Sequence, residues 1–294
     1  MPELPEVETV RRGLAKLIIA KAVISEAHDT DKGFPNTPQD VKAFMIGAEV
    51  TDVRRRAKVL MIDLSTGYSL LIHLKMTGQL VFVGETRFGA GHPNDSLIND
   101  LPDKSTRVTL AFEDGTKLFF NDQRKFGWMR LLPTVEIPNI PFMQKVGPEP
   151  LSSDFSALDF IQRLARRPKT NIKAALLDQS VVAGIGNIYA DESLWGAKIH
   201  PTRLVSDVSD EEKTVLYTEM RAVMNLAVEK GGSSNSTYVN AEGKKGSYMD
   251  FARVFRREGL ECPRCGTIIE KSRVAGRGTH VCPVCQAIYA ILKV

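Results

Sequence analysis

Two groups of residues in this 294-residue chain have the types and spacing for chemistry: Pro2-Glu3 at its start and four cysteines near its end. Pro2 is small, so Met1 before it is a target for removal, which would leave a secondary amine on a rigid ring. An α-amine titrates near about 7.7–8.0, so a useful fraction is unprotonated at neutral pH. Such a nitrogen can attack an electrophilic carbon, and the carboxyl of Glu3 beside it can shuttle the proton. Taken alone, Met-Pro-Glu is far more often a disordered terminus before a helix. The cysteines carry a stronger signal. Cys262-Pro-Arg-Cys265 and Cys282-Pro-Val-Cys285 are separated by sixteen residues, the spacing of a zinc site. Four thiolates close a tetrahedral shell and leave no position for water, so the metal expected here is structural. Disulfides are the competing use, favoured only in an oxidising compartment. His280 is a spare donor that four cysteines make unnecessary.

Between the cysteine pairs, Arg273-Val-Ala-Gly-Arg277 suits a hairpin that presents Arg277 from a metal-pinned turn, a good place for a phosphate contact. Gly184-Ile-Gly186-Asn187 precedes a helix pattern. Its backbone N–H groups suit a phosphate, and Asn187 equally suits a helix cap. Because this Gly-x-Gly follows a helix rather than a strand, a dinucleotide site is disfavoured, and no nucleotide or redox cofactor is expected. Asn121-Asp122-Gln-Arg124-Lys125-Phe126-Gly127 and His73-Leu-Lys75-Met76-Thr-Gly78 each end a strand pattern. Phe126 and Met76 have the apolar shape of wedges driven between stacked bases, although either residue alone is more often core. Lys58, in Arg54-Arg-Arg-Ala-Lys58, falls on the same face of an alternating strand as Arg54 and Arg56.

The elements that must position these residues divide the chain. Pro5, Glu6 and Glu8, with Val7, Val10, Leu14 and Leu17 at helical spacing, predict a helix over 5–18. A strand over 22–28 and a short helix from Thr37 to Met45 follow. Strand patterns then recur at 49–54, 57–64, 69–75, 79–83, 107–112, 117–121 and 127–132, with Asp114-Gly115 as a two-residue hairpin signal. Strands this dense without intervening helices predict an antiparallel sandwich or barrel. Residues 84–105 read as a long loop and the Pro-rich stretch 133–150 as a linker. Helices are predicted over 153–166, 170–178, 187–196 and 209–229, the last with a Ser209/Glu212 capping box and a Gly231-Gly232 stop. Residues 231–247, rich in Gly, Ser and Asn, read as a flexible loop. The domains expected are therefore 1–133, a linker 134–150, 151–230 and 231–294.

The net charge is +4, and the distribution matters more than the sum. Residues 251–294 carry eight Lys/Arg against three Glu. Further basic knots lie at Arg54–Lys58 and at Arg163, Arg166, Arg167 and Lys169, a pattern that attracts a polyanion. No run approaches the ~20 apolar residues of a membrane span, and no secretion signal opens the chain, so the expectation is cytosolic.

Taken together, PELPEVET at the start, RRRAK at 54–58, IHLKMTGQL at 72–80, NDQRKFG at 121–127, VGPEPL at 146–151, KTNIKAALLDQ at 169–179, GIGNIYADE at 184–192 and GRGTH at 276–280 within the cysteine module resemble formamidopyrimidine-DNA glycosylases. The resemblance runs in order along nearly the whole chain. It implies an α+β multidomain fold: an N-terminal antiparallel β-sandwich with flanking helices, a helical helix–two-turn–helix domain and a C-terminal zinc-finger β-hairpin. It implies a monomeric base-excision repair enzyme, cytoplasmic and associated with the nucleoid, with one structural Zn2+. Its partner is duplex DNA carrying a damaged base, with no membrane partner. Pro2 would be the nucleophile, Glu3 its acid/base partner, and Lys58 and Arg277 the proton donors for two successive eliminations. Met76, Arg124 and Phe126 would fill the space of an evicted nucleotide. Lys125, Lys169 and Asn187 would hold the backbone, Glu6 would lie near the lesion pocket, and Tyr238 would belong to the loop over the flipped base.

The sequence departs from the family pattern in three places. Asp103-Lys-Ser105-Thr-Arg107 stands where many members have a DNA-contacting His, so that contact is either lost or taken by Arg107. Phe255-Arg256-Arg257 replaces the usual Tyr-Gly-Arg before the finger. Residues 233–240 lack the basic residue often present in the capping loop. Two rivals stand beside this reading: an endonuclease VIII-like glycosylase for oxidised pyrimidines, and a non-catalytic zinc-finger DNA-binding protein.

Overall fold

The computed structural model describes residues 2–92, 94–233 and 247–288. It divides into two compact units, one of residues 1–144 with 227–249, the other of 145–226 with 250–294.

In the first unit, helix α1 (Leu4–Ile18) opens with Pro5 in its first turn, where the missing N–H costs nothing. Its buried stripe is Leu4, Val7, Val10, Leu14 and Ile18, each contributing about 1.5–3 kcal/mol by leaving water. Among the described residues of this unit nine strands follow, all paired antiparallel. They are β1 (Val23–His28), β2 (Val50–Arg56), β3 (Val59–Leu64), β4 (Tyr68–His73), β5 (Gly78–Val83), β6 (Arg87–Gly91), β7 (Thr106–Phe112), β8 (Lys117–Asp122) and β9 (Trp128–Pro133). One sheet has the order β1-β7-β8-β5-β6 and the other β2-β3-β4-β9. Inward residues of both sheets, such as Ile62, Ile72, Leu80 and Phe120, form one core with α1. Helix α1 packs on β2 and β6, an edge strand of each sheet, and so covers one open side of the sandwich. The short helix α2 (Pro38–Asp40) continues into a wider turn, Val41–Met45.

Two expectations need correction, and the stretch read as linker gains local structure. The stretch 84–105 is not all loop: β6 pairs with β5 from Val83↔Arg87 to Gln79↔Gly91, and Asp95–Leu97 forms a 3-10 turn. Its sequence RFGAG hides a strand because only Phe88 supplies bulk, and Phe88 packs where Gly13 of α1 has no side chain. A Cβ on Gly13 would lie 2.0 Å from the ring. The hairpin at Asp114-Gly115 exists, but four residues, Glu113–Thr116, separate β7 from β8. The stretch read as linker holds a 3-10 turn (Thr134–Asn139) and helix α3 (Pro141–Lys145).

The second unit contains α4 (Ala157–Ala165), α5 (Ile172–Leu177), α6 (Asn187–Gly196) and most of α7 (Asp210–Glu229). Helix α7 has the capping bonds expected of Ser209 and Glu212, at 2.8 and 3.2 Å. It stops at Gly231 and Gly232, both at positive φ, with the Gly232 N–H on the Ala227 carbonyl at 2.7 Å. The antiparallel hairpin β10 (Glu270–Val274) and β11 (Arg277–Val281) turns at Ala275-Gly276, both left-handed, as a two-residue hairpin loop requires.

Candidate nucleic-acid interface and active site

Pro2 and Glu3 are buried where the chain enters α1. The Glu3 N–H donates to Glu6 Oε2 at 2.7 Å, so the first helical turn fixes the start of the chain. The other Glu6 oxygen, Oε1, accepts the Ser233 N–H at 2.7 Å. Gly232 sits at φ +86 beside it, where a Cβ would come within 2.9 Å of Glu6 Oε1. The Gly232 carbonyl accepts the Tyr248 N–H at 2.8 Å. Glu6 is thus the anchor at the base of the 233–247 segment. Tyr238 lies outside the described residues.

Lys58 is not on a strand. It forms the two-residue turn Ala57-Lys58 between β2 and β3, with Ala57 at φ +54. It is 5% exposed, so it is no ordinary surface charge. Arg55 ties this turn to the opening helix: its Nε donates to Glu8 Oε2 at 3.1 Å and its NH1 to the Ala57 carbonyl at 2.9 Å. Burial pushes the Glu8 carboxyl up, but Arg11, Arg12 and Arg55 outweigh it and hold its pKa below the usual value. His73, paired with Val59, is held at about 3 by burial and by the charges of Lys75 and Lys58, and is therefore neutral. Its Nδ1 accepts the Lys75 N–H at 3.0 Å.

Lys75-Met76-Thr77 turns between β4 and β5 with Lys75 at φ +50, and 123–127 turns between β8 and β9 with Lys125 at φ +55. Left-handed backbone at bulky residues is strained and concentrates at functional sites. Met76 is half-buried, whereas Arg124, Lys125 and Phe126 are exposed, Phe126 by 46%. The Arg124 guanidinium lies 4.9 Å and the Lys32 ammonium 5.7 Å from the Phe126 ring centre. Asp122, fully buried, organises both turns: its carboxylate accepts the Thr77 hydroxyl and the N–H groups of Arg124, Phe126 and Gly127.

Arg107 is buried, with Nε on the Asp122 carbonyl at 2.8 Å, NH2 on the Lys104 carbonyl at 2.8 Å and NH1 on Asp29. Three of its five N–H groups thereby support the 122–127 turn from behind.

In the second unit, Lys169 and Arg277 are exposed. Gly186, not Asn187, caps α6. Asn187 Nδ2 instead donates to the Gly278 carbonyl at 2.9 Å, beside Arg277. The same carbonyl accepts Lys173 Nζ at 3.0 Å. Lys173 and Asp191, both fully buried, pair at 2.6 Å; Lys173 also meets the Thr279 hydroxyl at 2.8 Å, and Asp191 accepts the His280 N–H at 2.9 Å. Two helices thereby grip the strand that follows Arg277. His280 is committed to this network, with Nε2 3.2 Å from Glu258, and is no metal ligand.

The Sγ atoms of Cys262, Cys265, Cys282 and Cys285 lie within 4.8 Å of one another, with contacts of 3.9 and 3.4 Å between them. Zinc–sulfur bonds of about 2.3 Å imply tetrahedral edges of about 3.8 Å, so the set fits one structural zinc ion. Trp195, at the end of α6, donates Nε1–H to Cys262 Sγ at 3.4 Å, and Arg264 lies 3.8 Å above its ring. These donors offset the charge of four thiolates.

Sequence reading missed Thr77, Asp122, Lys173, Asp191 and Trp195. An Asp opening a turn is a common sign of side-chain-to-backbone bonding, so Asp122 had a usable signal. The long-range partners of the other four had none.

Comparison with known proteins agrees with this layout. Residues 1–129 match the formamidopyrimidine-DNA glycosylase N-terminal domain, 146–239 its H2TH domain, and 259–288 a zinc finger found in FPG and IleRS. The formamidopyrimidine-DNA glycosylase of Pediococcus pentosaceus is 40% identical over 288 residues, covering 98% of this chain and all of the relative. That of Streptococcus pneumoniae is 43% identical, covering 97% and 99%. Among solved structures, Lactococcus lactis Fpg complexed with abasic-site DNA superposes with a TM-score of 0.86 at 34% identity, covering 97% of this chain and all of that one. Thermus thermophilus MutM gives 0.82 at 38% identity, covering 97% and 98%. With this agreement over its full length, the chain belongs to the formamidopyrimidine-DNA glycosylase family.

Proposed function

We propose that this protein is a monomeric, cytoplasmic, nucleoid-associated DNA glycosylase and abasic-site lyase for oxidised purines, 8-oxoguanine and formamidopyrimidines, in duplex DNA. The observation that carries the reading is the buried Pro2-Glu3 entrance to α1, tied through Glu8 and Arg55 to the turn of Lys58. Relatives of that name match along the whole chain, and solved relatives hold Fapy-dG or abasic-site DNA.

With Met1 removed, the Pro2 nitrogen attacks C1′ of the damaged nucleotide and the bond from C1′ to the base breaks. Glu3 moves the proton, and opening of the sugar leaves an iminium on Pro2. The iminium acidifies the proton at C2′; its loss expels the 3′ phosphate, and a second elimination expels the 5′ phosphate. Lys58 and Arg277 serve these two departures, because a cation stabilises an anionic leaving group. Met76, Arg124 and Phe126 take the space of the evicted nucleotide. Lys125, Lys169 and Asn187 hold the backbone, Glu6 orders the lesion pocket, and Tyr238 belongs to its cover. The zinc supplies no reaction step; it holds the hairpin that carries Arg277.

A panel of duplexes tests the reading: excision of 8-oxoguanine well above thymine glycol is expected, and the reverse order would move the protein to the pyrimidine branch.

A further inference from the structure

The turns carrying Met76 and Phe126 are separate crossings between the two sheets, β4 to β5 and β8 to β9, whose flanking strands pair, and at their tips one hydroxyl joins them. Thr77 Oγ1 donates to the Asp122 carboxylate and accepts the Arg124 N–H at 3.1 Å. Thr77 is 8% exposed and Asp122 fully buried, so water does not compete for these bonds. A buried carboxylate is costly unless its oxygens are satisfied, and here the satisfying donors are the turn itself. The Phe126 and Gly127 N–H groups lie 2.8 and 2.7 Å from Asp122 Oδ2. On the other side, Gly78 can have no side chain, since a Cβ would lie 2.4 Å from the Leu74 carbonyl; the Met76 turn therefore closes tightly, with the Gly78 N–H on Leu74 O at 2.9 Å.

We propose that Thr77 is a positioning residue that locks the two turns together through Asp122, so that Met76 and the Arg124–Phe126 pair enter a duplex as one wedge. Two separately mobile probes would each lose conformational freedom on insertion. A preassembled pair has lost it already on folding, and that saving goes into unstacking the lesion. This rests on the glycosylase reading. Base release needs the wedge most, whereas cleavage of a preformed abasic site, with no paired base to dislodge, needs it least.

The test compares Thr77→Val with Thr77→Ser in single-turnover release of 8-oxoguanine opposite cytosine, and in cleavage of a preformed abasic site. Thr77→Val removes both bonds and Thr77→Ser keeps them. Expected is a loss of about tenfold or more in base release for Thr77→Val, the worth of one hydrogen bond to a charged group. Abasic cleavage should stay within about twofold, and Thr77→Ser should restore base release. In a Phe126→Ala background the Thr77→Val effect should vanish, which a merely destabilising change would not do. Unchanged base release in Thr77→Val, equal loss on both substrates, or full additivity with Phe126→Ala would overturn the proposal. Wild-type protein that cleaves neither substrate would instead sink the glycosylase reading itself.

Discussion

Glu6 Oε1 accepts the backbone N–H of Ser233 at 2.7 Å, across 227 residues of sequence. The carboxylate that orders the first turn of the chain therefore also fixes the base of the segment assigned to cover the lesion. Glu6→Gln keeps the size but replaces one acceptor oxygen with a donor, opposing one of two N–H groups. The expected cost is about 1–3 kcal/mol of stability. Base release should fall more than abasic-site cleavage, because the latter does not require a held base. Thermal melting together with single-turnover rates on both substrates checks this; equal rates to wild type on both would refute it.

His73 gives the first unit an acid-side sensitivity. Its folded pKa is about 3 and its ordinary value 6.5. Between these limits the unfolded chain binds a proton that the folded one does not, so stability rises with pH through that window. The full contribution is present above about pH 6.5 and shrinks by up to about 1.4 kcal/mol per unit as pH falls towards 3. A His73→Gln variant should show a flatter dependence than wild type in urea unfolding measured from pH 7 to pH 4. Parallel curves would contradict the assignment.

The zinc cluster should respond to a residue outside the four ligands. Trp195→Phe keeps the ring packed against the cysteines but deletes the N–H directed at Cys262. Second-layer donors of this kind typically change metal affinity by about 10–100-fold. Zinc release to a chromogenic chelator should quicken accordingly, while zinc stoichiometry stays at one. Cys282→Ser should lower stoichiometry and DNA binding together. An unaltered zinc content in Cys282→Ser would refute the finger.

Lys169 is exposed on the connection between α4 and α5. As a phosphate contact it accounts for about one unit of counterion release. Lys169→Ala should weaken binding to damaged and undamaged duplexes alike and reduce the slope of log K against log salt by about one. An unchanged slope removes Lys169 from the footprint.

Local rules carried much of this structure. The apolar stripe of α1, the Ser209/Glu212 capping box and the paired Cys-x-x-Cys turns were legible because their physics spans only a few residues. Strand β6 was not, because its bulk is a single Phe whose partner is Gly13, some seventy-five positions away. Lys58 was placed on a strand because Arg-Arg-Arg-Ala-Lys shows no turn residue; Ala57 adopts positive φ against its own preference. Arg107 was read only as a candidate for the missing His contact; its burial rests on Asp29 and two carbonyls that no local pattern pairs with it. The family pattern pointed to the residues assigned to contact DNA. What it left unread were the residues that hold them, Arg55, Asp122 and Lys173, each with a partner distant in sequence: Glu8, Thr77 and Gly278.

The central claim is that the nitrogen of Pro2 is the nucleophile. Borohydride reduces an iminium to a stable bond, so the direct measurement is trapping on a duplex with one 8-oxoguanine opposite cytosine, followed by peptide mapping. The expected result is a covalent adduct on Pro2 with Met1 absent, lost when the terminal amine is blocked beforehand. An adduct mapped to a lysine, or none on either 8-oxoguanine or abasic-site DNA despite tight binding, would contradict it.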